Sequence, residues 1–187
     1  MRAVAERAKI PRSATVGIEN KATEMKRAGV EVISLAAGQP DFVTPQHIRE
    51  YAKKALDEGY TFYPPSPGLP ELREAISEKV AKKNGIEADP RSEIIVTVGG
   101  KQGVFSTILT LIGPGDEVII ADPSWVTYEP CVTLAGGKIV PVPVHEQYQF
   151  RLMPEAISRA ITTKTKLVII NSPNNPTGSV LRKEDLK

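Results

Sequence analysis

Gly99, Gly100 and Lys101 have the types and spacing to hold an anion. They follow an apolar run and precede a helical pattern, and backbone N–H groups beside a glycine pair at a helix start can approach a phosphate closely. The pattern matches neither of the common glycine-rich nucleotide-binding motifs. A phosphate turn and a plain tight turn therefore both remain open for this segment.

Two further loops follow apolar runs and carry groups suited to a flat polar ligand. Trp125, the only tryptophan, stands just after one run, where an indole can stack on a ring or serve as a core residue. The segment 171–178 (NSPNNPTG) combines two adjacent amides, Asn174 and Asn175, with two prolines. Such stiffness favours a side chain held toward a ligand, although a plain turn is the alternative.

Other candidate residues are ambiguous when each is taken alone. Tyr63 lies in an aromatic, proline-rich loop, and Gly38 lies in an ordinary glycine turn that could present an N–H group. His47 and His145 are isolated and lack metal-ligand spacing, so we expect no metal site. Cys131 is the single cysteine, which leaves no intramolecular disulfide and favours a reducing cytoplasm.

The composition excludes several classes of protein. Hydrophobic residues make up 41% and charged residues 25% of the 187, as in ordinary soluble globular chains. The net charge is only +2 and the basic residues are scattered, so we expect no nucleic-acid partner. No apolar run approaches the ~20 residues of a transmembrane helix, and we expect no membrane partner.

The elements that must position these loops follow an alternating strand and helix pattern after residue 90. Continuously apolar runs are typical of strands covered on both faces, and helical patterns separate them. This rhythm predicts an α/β fold with a mostly parallel sheet between helices and ligands at the carboxyl ends of the strands. The predicted strands are 93–98, 117–121, 138–144 and 166–171, and the predicted helices are 102–112, 126–135 and 154–161.

Before residue 90 the pattern is mainly helical. We predict helices over 15–28, 45–58 with Thr44 as N-cap, and 70–85, and a short strand over 32–35. Residues 1–45 are interpreted as an N-terminal arm and entry segment, and residues 46–187 as the N-terminal part of a larger domain. The last residues, 182–187, read as the opening turn of a helix, so we expect the chain to be a truncated piece of a longer protein.

Five segments in this order resemble the N-terminal half of the class I aminotransferases that use pyridoxal 5′-phosphate. The resemblance covers essentially all of the chain and implies the three-layer α/β/α architecture of fold type I, incomplete here because the chain is truncated. The sequence is similar above all to the bacterial and archaeal aspartate aminotransferase branch, some of whose members also act on prephenate. The segments are SLAAGQPDF, GLPELREAI, VTVGGKQ, DPSW and NSPNNPTG.

The resemblance implies that the glycine turn, the tryptophan and the asparagine loop described above bind the cofactor. The cofactor phosphate would rest on Gly99, Gly100 and Lys101. Trp125 would stack on the pyridine ring, and Asn175 would hydrogen-bond the ring hydroxyl. Both Trp125 and Asn175 would also border the substrate. The peptide bonds from Asp122 to Pro123 and from Asn175 to Pro176 would be cis.

It also implies substrate contacts and a homodimer. Tyr63 would reach the cofactor phosphate of the neighbouring subunit, and the backbone at Gly38 would meet the substrate carboxylate. Thr15 and Lys101 would contact the distal carboxylate of an acidic substrate. Lys101 facing only the phosphate or solvent stays open as the alternative.

The catalytic residues that the resemblance implies would lie beyond Lys187, above all the lysine that forms a Schiff base with the cofactor. We therefore expect the longer protein to transfer an amino group between aspartate or glutamate and a 2-oxo acid, and these 187 residues alone to be inactive. Two alternatives remain: an aromatic or kynurenine aminotransferase or carbon–sulfur lyase on the same scaffold, and a non-catalytic aminotransferase-like module.

Overall fold

The computed structural model describes residue 10, residues 14–36 and residues 38–187. The chain divides into two compact units, one that ends at Thr97 and one that begins at Val98. No helix within the described residues is long and apolar enough to cross a membrane. The division into an arm of residues 1–45 and a larger domain stays a prediction.

The unit that ends at Thr97 contains three helices: α1 (Ala14–Arg27), α2 (Gln46–Asp57) and α3 (Pro70–Asn84). All three were predicted to within one residue at each end. The N-cap of α2 is Pro45, so the predicted capping role of Thr44 is wrong. Helix α3 begins with proline, which lacks the N–H that a first turn leaves unpaired, and ends at Gly85 in the left-handed region with φ 66°.

Two predicted strands, 32–35 and 93–98, are not strands in the structure. A strand needs a neighbour for its backbone hydrogen bonds, and the one sheet among the described residues includes neither segment. Ile33 and Ile95 are 87% and 72% exposed, although Ile94 is buried. The prediction that both segments are strands is therefore wrong, and so is the prediction that the run around Ile95 is covered on both faces.

Gly68 is the position of the GLPELREAI segment where the backbone leaves no room for a side chain. Its φ is 106°, and a Cβ placed there would come within 2.6 Å of Val96 Cγ2. Beside it, the Val96 N–H donates to the carbonyl of Pro67 at 2.9 Å. A bare glycine backbone is thus what allows residue 96 to approach this turn.

We expect Gly68→Ala to lower the free energy of unfolding by about 2–4 kcal/mol, because backbone strain at positive φ adds to the clash with Val96. Gly59→Ala is the matched control: its φ of 84° is similar, but no atom lies within 4 Å of a Cβ there. It should cost only about 1–2 kcal/mol. Urea titrations of both variants measure the difference, and equal losses would show that the Val96 contact carries no cost.

The unit that begins at Val98 is an α/β structure built on a parallel sheet. Strand β1 pairs with both β2 and β3 in the order β2-β1-β3, and Val118 lies opposite Ile139 on one side and Leu167 on the other. This confirms the predicted fold class. The elements in chain order are α4 (Gly99–Leu111), β1 (Glu117–Asp122), α5 (Tyr128–Leu134), β2 (Lys138–Pro143), α6 (Pro154–Ala160) and β3 (Thr165–Ile169).

Helices cover both faces of this sheet, as a three-layer fold requires. On one face, Val118 and Ile120 of β1 pack with buried residues of α4 and α5, including Ile108 and Val132. On the other face, Ile119 packs with buried residues of β2 and of the segment that follows it, and with partly buried residues of α6. The continuous apolar run of β1 is thus explained by burial on alternate sides.

Strand β2 has a free edge whose pattern of donors is unusual. The Lys138 N–H donates to the carbonyl of Asp116, the residue before β1. The Val144 N–H donates to the carbonyl of Asp122, the last residue of β1. The backbone N–H and C=O groups of the even-numbered residues of β2 therefore point toward β1, and those of the odd-numbered residues point away from it. Two of the outward positions are Pro141 and Pro143, which have no N–H.

A half-buried ion pair holds the last described turn against the loop after β2. The Arg151 guanidinium donates to both oxygens of Asp185, at 2.6 and 2.9 Å, and Asp185 also accepts the Arg182 N–H at 2.7 Å. The Arg182 N–H, and after it the Arg151 guanidinium, lowers the pKa of Asp185. The short 3₁₀ turn Lys183–Leu186 is held in this way.

The lowered pKa of Asp185 makes its contribution to stability depend on pH. A carboxyl group whose pKa is lower when folded stabilises fully above its unfolded pKa of about 4, and the contribution disappears as the pH falls through the folded pKa. Asp185→Asn should therefore lower the melting temperature at pH 7, and the difference from the wild type should shrink as the pH falls below about 4. Glu87→Gln, at an exposed carboxyl in the loop after α3, is the control and should leave the melting temperature unchanged at pH 7.

Candidate functional site

The carboxyl ends of β1 and β3 bring two of the predicted loops side by side. Because parallel strands end at the same edge of a sheet, the loop with Trp125 and the loop with Asn175 share that edge. The Asn174 side chain links them directly, since its Nδ2 donates to the Pro123 carbonyl at 3.3 Å. The two loops thus form one polar edge above the sheet.

Gly99 and Gly100 form the first turn of α4 rather than a turn before it. The helix was predicted to begin at Gln102, but Gly99 is its first residue, with φ 76°. The Gln102 side chain instead accepts the Val98 N–H, which pins the chain just before the helix. A Cβ at either glycine would meet nothing within 4 Å, so the space beside the helix start is open.

Lys101 and Trp125 are brought into contact although 24 positions separate them. The Lys101 Nζ lies 5.7 Å from the centroid of the Trp125 ring, within the range of a cation–π interaction. The edge of the indole is fixed by Tyr128, whose ring stands at 90° to it with centroids 5.4 Å apart. The site therefore combines a cation and an oriented aromatic ring at the start of α4.

Burial raises the pKa of two groups beside this pair. Desolvation raises the pKa of the Tyr128 hydroxyl, and it raises the pKa of the Cys131 thiol, although the Lys101 charge opposes the second shift. Both groups therefore stay protonated at neutral pH and are poor nucleophiles. Among the described residues, no three His, Cys, Asp or Glu side chains are grouped to hold a metal ion.

The loop after β3 is organised by Asn174 and leaves Asn175 exposed. Backbone hydrogen bonds close it, from Gly178 N–H to the Asn174 carbonyl at 2.7 Å and from Asn174 N–H to the Ser179 carbonyl at 2.8 Å. The Asn174 Nδ2 also donates to Thr177 Oγ1 at 3.0 Å. With Asn174 occupied in this way, the Asn175 amide is the one available to a ligand.

Three peptide bonds in these loops are cis. Two of them, Asp122–Pro123 and Asn175–Pro176, are the bonds that the resemblance implies. The third, Ser172–Pro173, was not predicted.

A cavity of about 10 Å³ lies below the two loops. Its polar lining includes Ser124, Asn174 and Ser179, and its apolar lining includes Ile120 and Ile169. The Ser179 Oγ is buried and has no hydrogen-bond partner among the described residues. A space of this size holds about one water molecule, which would satisfy that hydroxyl.

The remaining predicted site residues belong to the unit that ends at Thr97. Thr15 is half-buried in the first turn of α1. Gly38 is exposed in the segment after α1, and Tyr63 is fully exposed between α2 and α3. Their proposed contacts with substrate and with a neighbouring subunit stay predictions.

Sequence reasoning missed Tyr128, and it named Asn174 as a candidate ligand-facing amide without its role in holding the loop together. An aromatic residue three positions after Trp125 is a signal, since residues so spaced meet on a helical turn. For Asn174 the signal is a threonine three positions later, because asparagine side chains often hydrogen-bond within turns. Both signals are too common to have revealed these roles.

Comparisons with known proteins show similarity over most of the chain. A family model described as aminotransferase class I and II matches residues 30–187. The aspartate aminotransferase of Pyrococcus abyssi is 56% identical over 157 residues, which are 84% of this chain and 40% of that protein. The aspartate/prephenate aminotransferase of Thermus thermophilus is 49% identical over 175 residues, which are 94% of this chain and 45% of that protein.

The same similarity is seen in three dimensions. The solved structure of the Thermus thermophilus aspartate aminotransferase with maleate matches this chain with a TM-score of 0.96 at 47% identity. The match covers 100% of this chain and 49% of that one. The chain thus spans less than half the length of these relatives.

Proposed function

Because the chain belongs to the aminotransferase class I and II family, we propose that the enzyme containing it transfers an amino group between aspartate or glutamate and a 2-oxo acid. The observation that carries this proposal is the Lys101 cation held against Trp125 at the glycine start of α4. Maleate in the Thermus structure is a dicarboxylate, which supports an acidic substrate.

The residues at this site fit pyridoxal 5′-phosphate. The open space beside Gly99 and Gly100, at the N-terminus of a 13-residue helix, suits a phosphate because N–H groups and the helix dipole favour an anion there. Trp125 offers an aromatic face for the pyridine ring. When bound, the cofactor supplies an electron-accepting ring that lets the substrate lose its Cα proton.

The other residues complete the proposed site. Asn175 would donate a hydrogen bond to the cofactor's ring hydroxyl. The Gly38 backbone would bind the substrate's α-carboxylate, while Thr15 and Lys101 would bind the distal one. Tyr63 would reach the phosphate site of a second subunit, so the working enzyme is proposed to be a homodimer. The single cysteine supports the proposal that it is cytoplasmic.

The test of this function is cofactor binding followed by amino transfer in the full-length enzyme. Pyridoxal phosphate should bind saturably with one site per subunit, and aspartate should then form oxaloacetate when 2-oxoglutarate is supplied. Trp125→Ala should weaken cofactor binding by about tenfold, the scale of one aromatic stacking contact, whereas Trp125→Phe should retain most of it. A wild-type enzyme that binds no pyridoxal phosphate would refute the proposal.

Asn175→Ala should raise the pKa that the bound cofactor's absorbance reports. Losing a donor to the ionised ring oxygen disfavours the charged form, and one hydrogen bond corresponds to about one pKa unit. The exposed Asn20 on α1 supplies the control, since Asn20→Ala should leave the titration unchanged. If Asn175→Ala titrates as wild type does, the Asn175 amide does not contact the ring oxygen.

A further inference from the structure

The segment after α1 is fastened to that helix by a polar contact. Ser34 Oγ donates to Glu19 Oε2 at 2.7 Å, a length typical of a charge-assisted hydrogen bond. Ile33 and Leu35, on either side of Ser34, are both largely exposed and add little packing. The Glu19–Ser34 bond is therefore a specific contact that holds this segment against α1.

The same serine extends the connection toward the loop of Gly38. Ser34 Oγ accepts a hydrogen bond from the Ala36 N–H at 3.4 Å while it donates to Glu19. A single hydroxyl thus couples the helix to the backbone two residues before Gly38.

The helix face that meets Ser34 is also the face of Thr15. Thr15 and Glu19 are four residues apart and so lie on one face of α1, one turn from each other. Ala22, which is buried, follows at the next turn of the same face, and the residues between are mostly exposed. This face is therefore directed inward, and Ser34 is held against it.

We propose that Glu19 and Ser34 are positioning residues that fix the spacing between Thr15 and Gly38. The inference rests on the proposed function, in which Thr15 binds the distal carboxylate and Gly38 the α-carboxylate of the substrate. A dicarboxylate must satisfy both contacts at once, so the bond between α1 and the Gly38 segment sets the length of substrate that fits.

The test is steady-state kinetics of the full-length, cofactor-loaded enzyme. Ser34→Ala should raise KM for aspartate by about three- to tenfold, the scale of one lost hydrogen bond, and leave kcat within about twofold. Ser34→Thr keeps the hydroxyl and should restore KM. The preference for aspartate over glutamate should also shrink in Ser34→Ala, a change that general loss of stability would not produce.

A double-mutant cycle separates the pair from its two members. If Glu19 acts through Ser34, Glu19→Ala should raise KM by itself, and Glu19→Ala combined with Ser34→Ala should raise KM no further than Ser34→Ala alone. The control is Gln46→Ala, which removes an exposed hydrogen bond to Glu50 within α2 and should leave KM unchanged.

Three results have distinct meanings. An unchanged KM and substrate preference in Ser34→Ala would overturn the positioning role, and so would fully additive effects in the double variant. A wild-type enzyme that does not transfer amino groups would instead refute the proposed function.

Discussion

A polypeptide of residues 1–187 made alone is expected to transfer no amino group from aspartate to 2-oxoglutarate. The reaction needs an unprotonated amine beside the cofactor's aldehyde, and the family resemblance assigns that role to a lysine beyond Lys187. The lysines within the described residues are all exposed. Lys101 is assigned by the proposed function to the distal carboxylate of the substrate and not to the cofactor's aldehyde.

The measurement has two parts. The polypeptide is incubated with pyridoxal phosphate, treated with borohydride and examined by mass spectrometry, and its transaminase activity is assayed beside that of a full-length aspartate aminotransferase. We expect only scattered labelling of surface lysines and no turnover. Stoichiometric labelling of one lysine together with turnover would show that the catalytic amine lies within these residues.

Lys101→Ala in the full-length enzyme is expected to lower kcat/KM for aspartate. The loss should correspond to about 1–3 kcal/mol of transition-state stabilisation, the scale of a lost charge-assisted hydrogen bond. Phenylalanine has no distal carboxylate, so its kcat/KM should fall by less than about 1 kcal/mol, the loss of the cation–π contact with Trp125 at an exposed site. The change in substrate preference therefore reports the carboxylate contact.

Lys83→Ala is the control for this prediction, because Lys83 is an exposed lysine in the last turn of α3. It should alter neither substrate's kcat/KM. Equal losses for aspartate and phenylalanine in Lys101→Ala would assign the Lys101 ammonium to the cofactor phosphate.

The parallel sheet could be predicted because its central strand, β1, is continuously apolar and both of its neighbouring strands are within the described residues. The run around Val118 and Ile119 is buried on both faces, as its composition indicates. The run around Ile95 has the same composition but no neighbouring strand among the described residues. The composition of a segment indicates whether its side chains can be buried. Strand formation also needs a neighbouring strand, which the local sequence does not reveal.

The site could be predicted in part for a similar reason. Glycines, prolines and a lone tryptophan mark loops at fixed places relative to the strands, so Gly99, Trp125 and Asn175 were singled out. The contacts that orient these groups are pairwise and distant in sequence. The hydrogen bond between Glu19 and Ser34 joins two common residue types 15 positions apart, and no local pattern distinguishes such a pair before the chain is folded.

The prolines of β2 have a consequence for self-association. With no N–H at Pro141 or Pro143, the outer side of β2 cannot form a regular ladder with an incoming strand. Two copies of the chain are therefore hindered from joining their sheets β2 to β2.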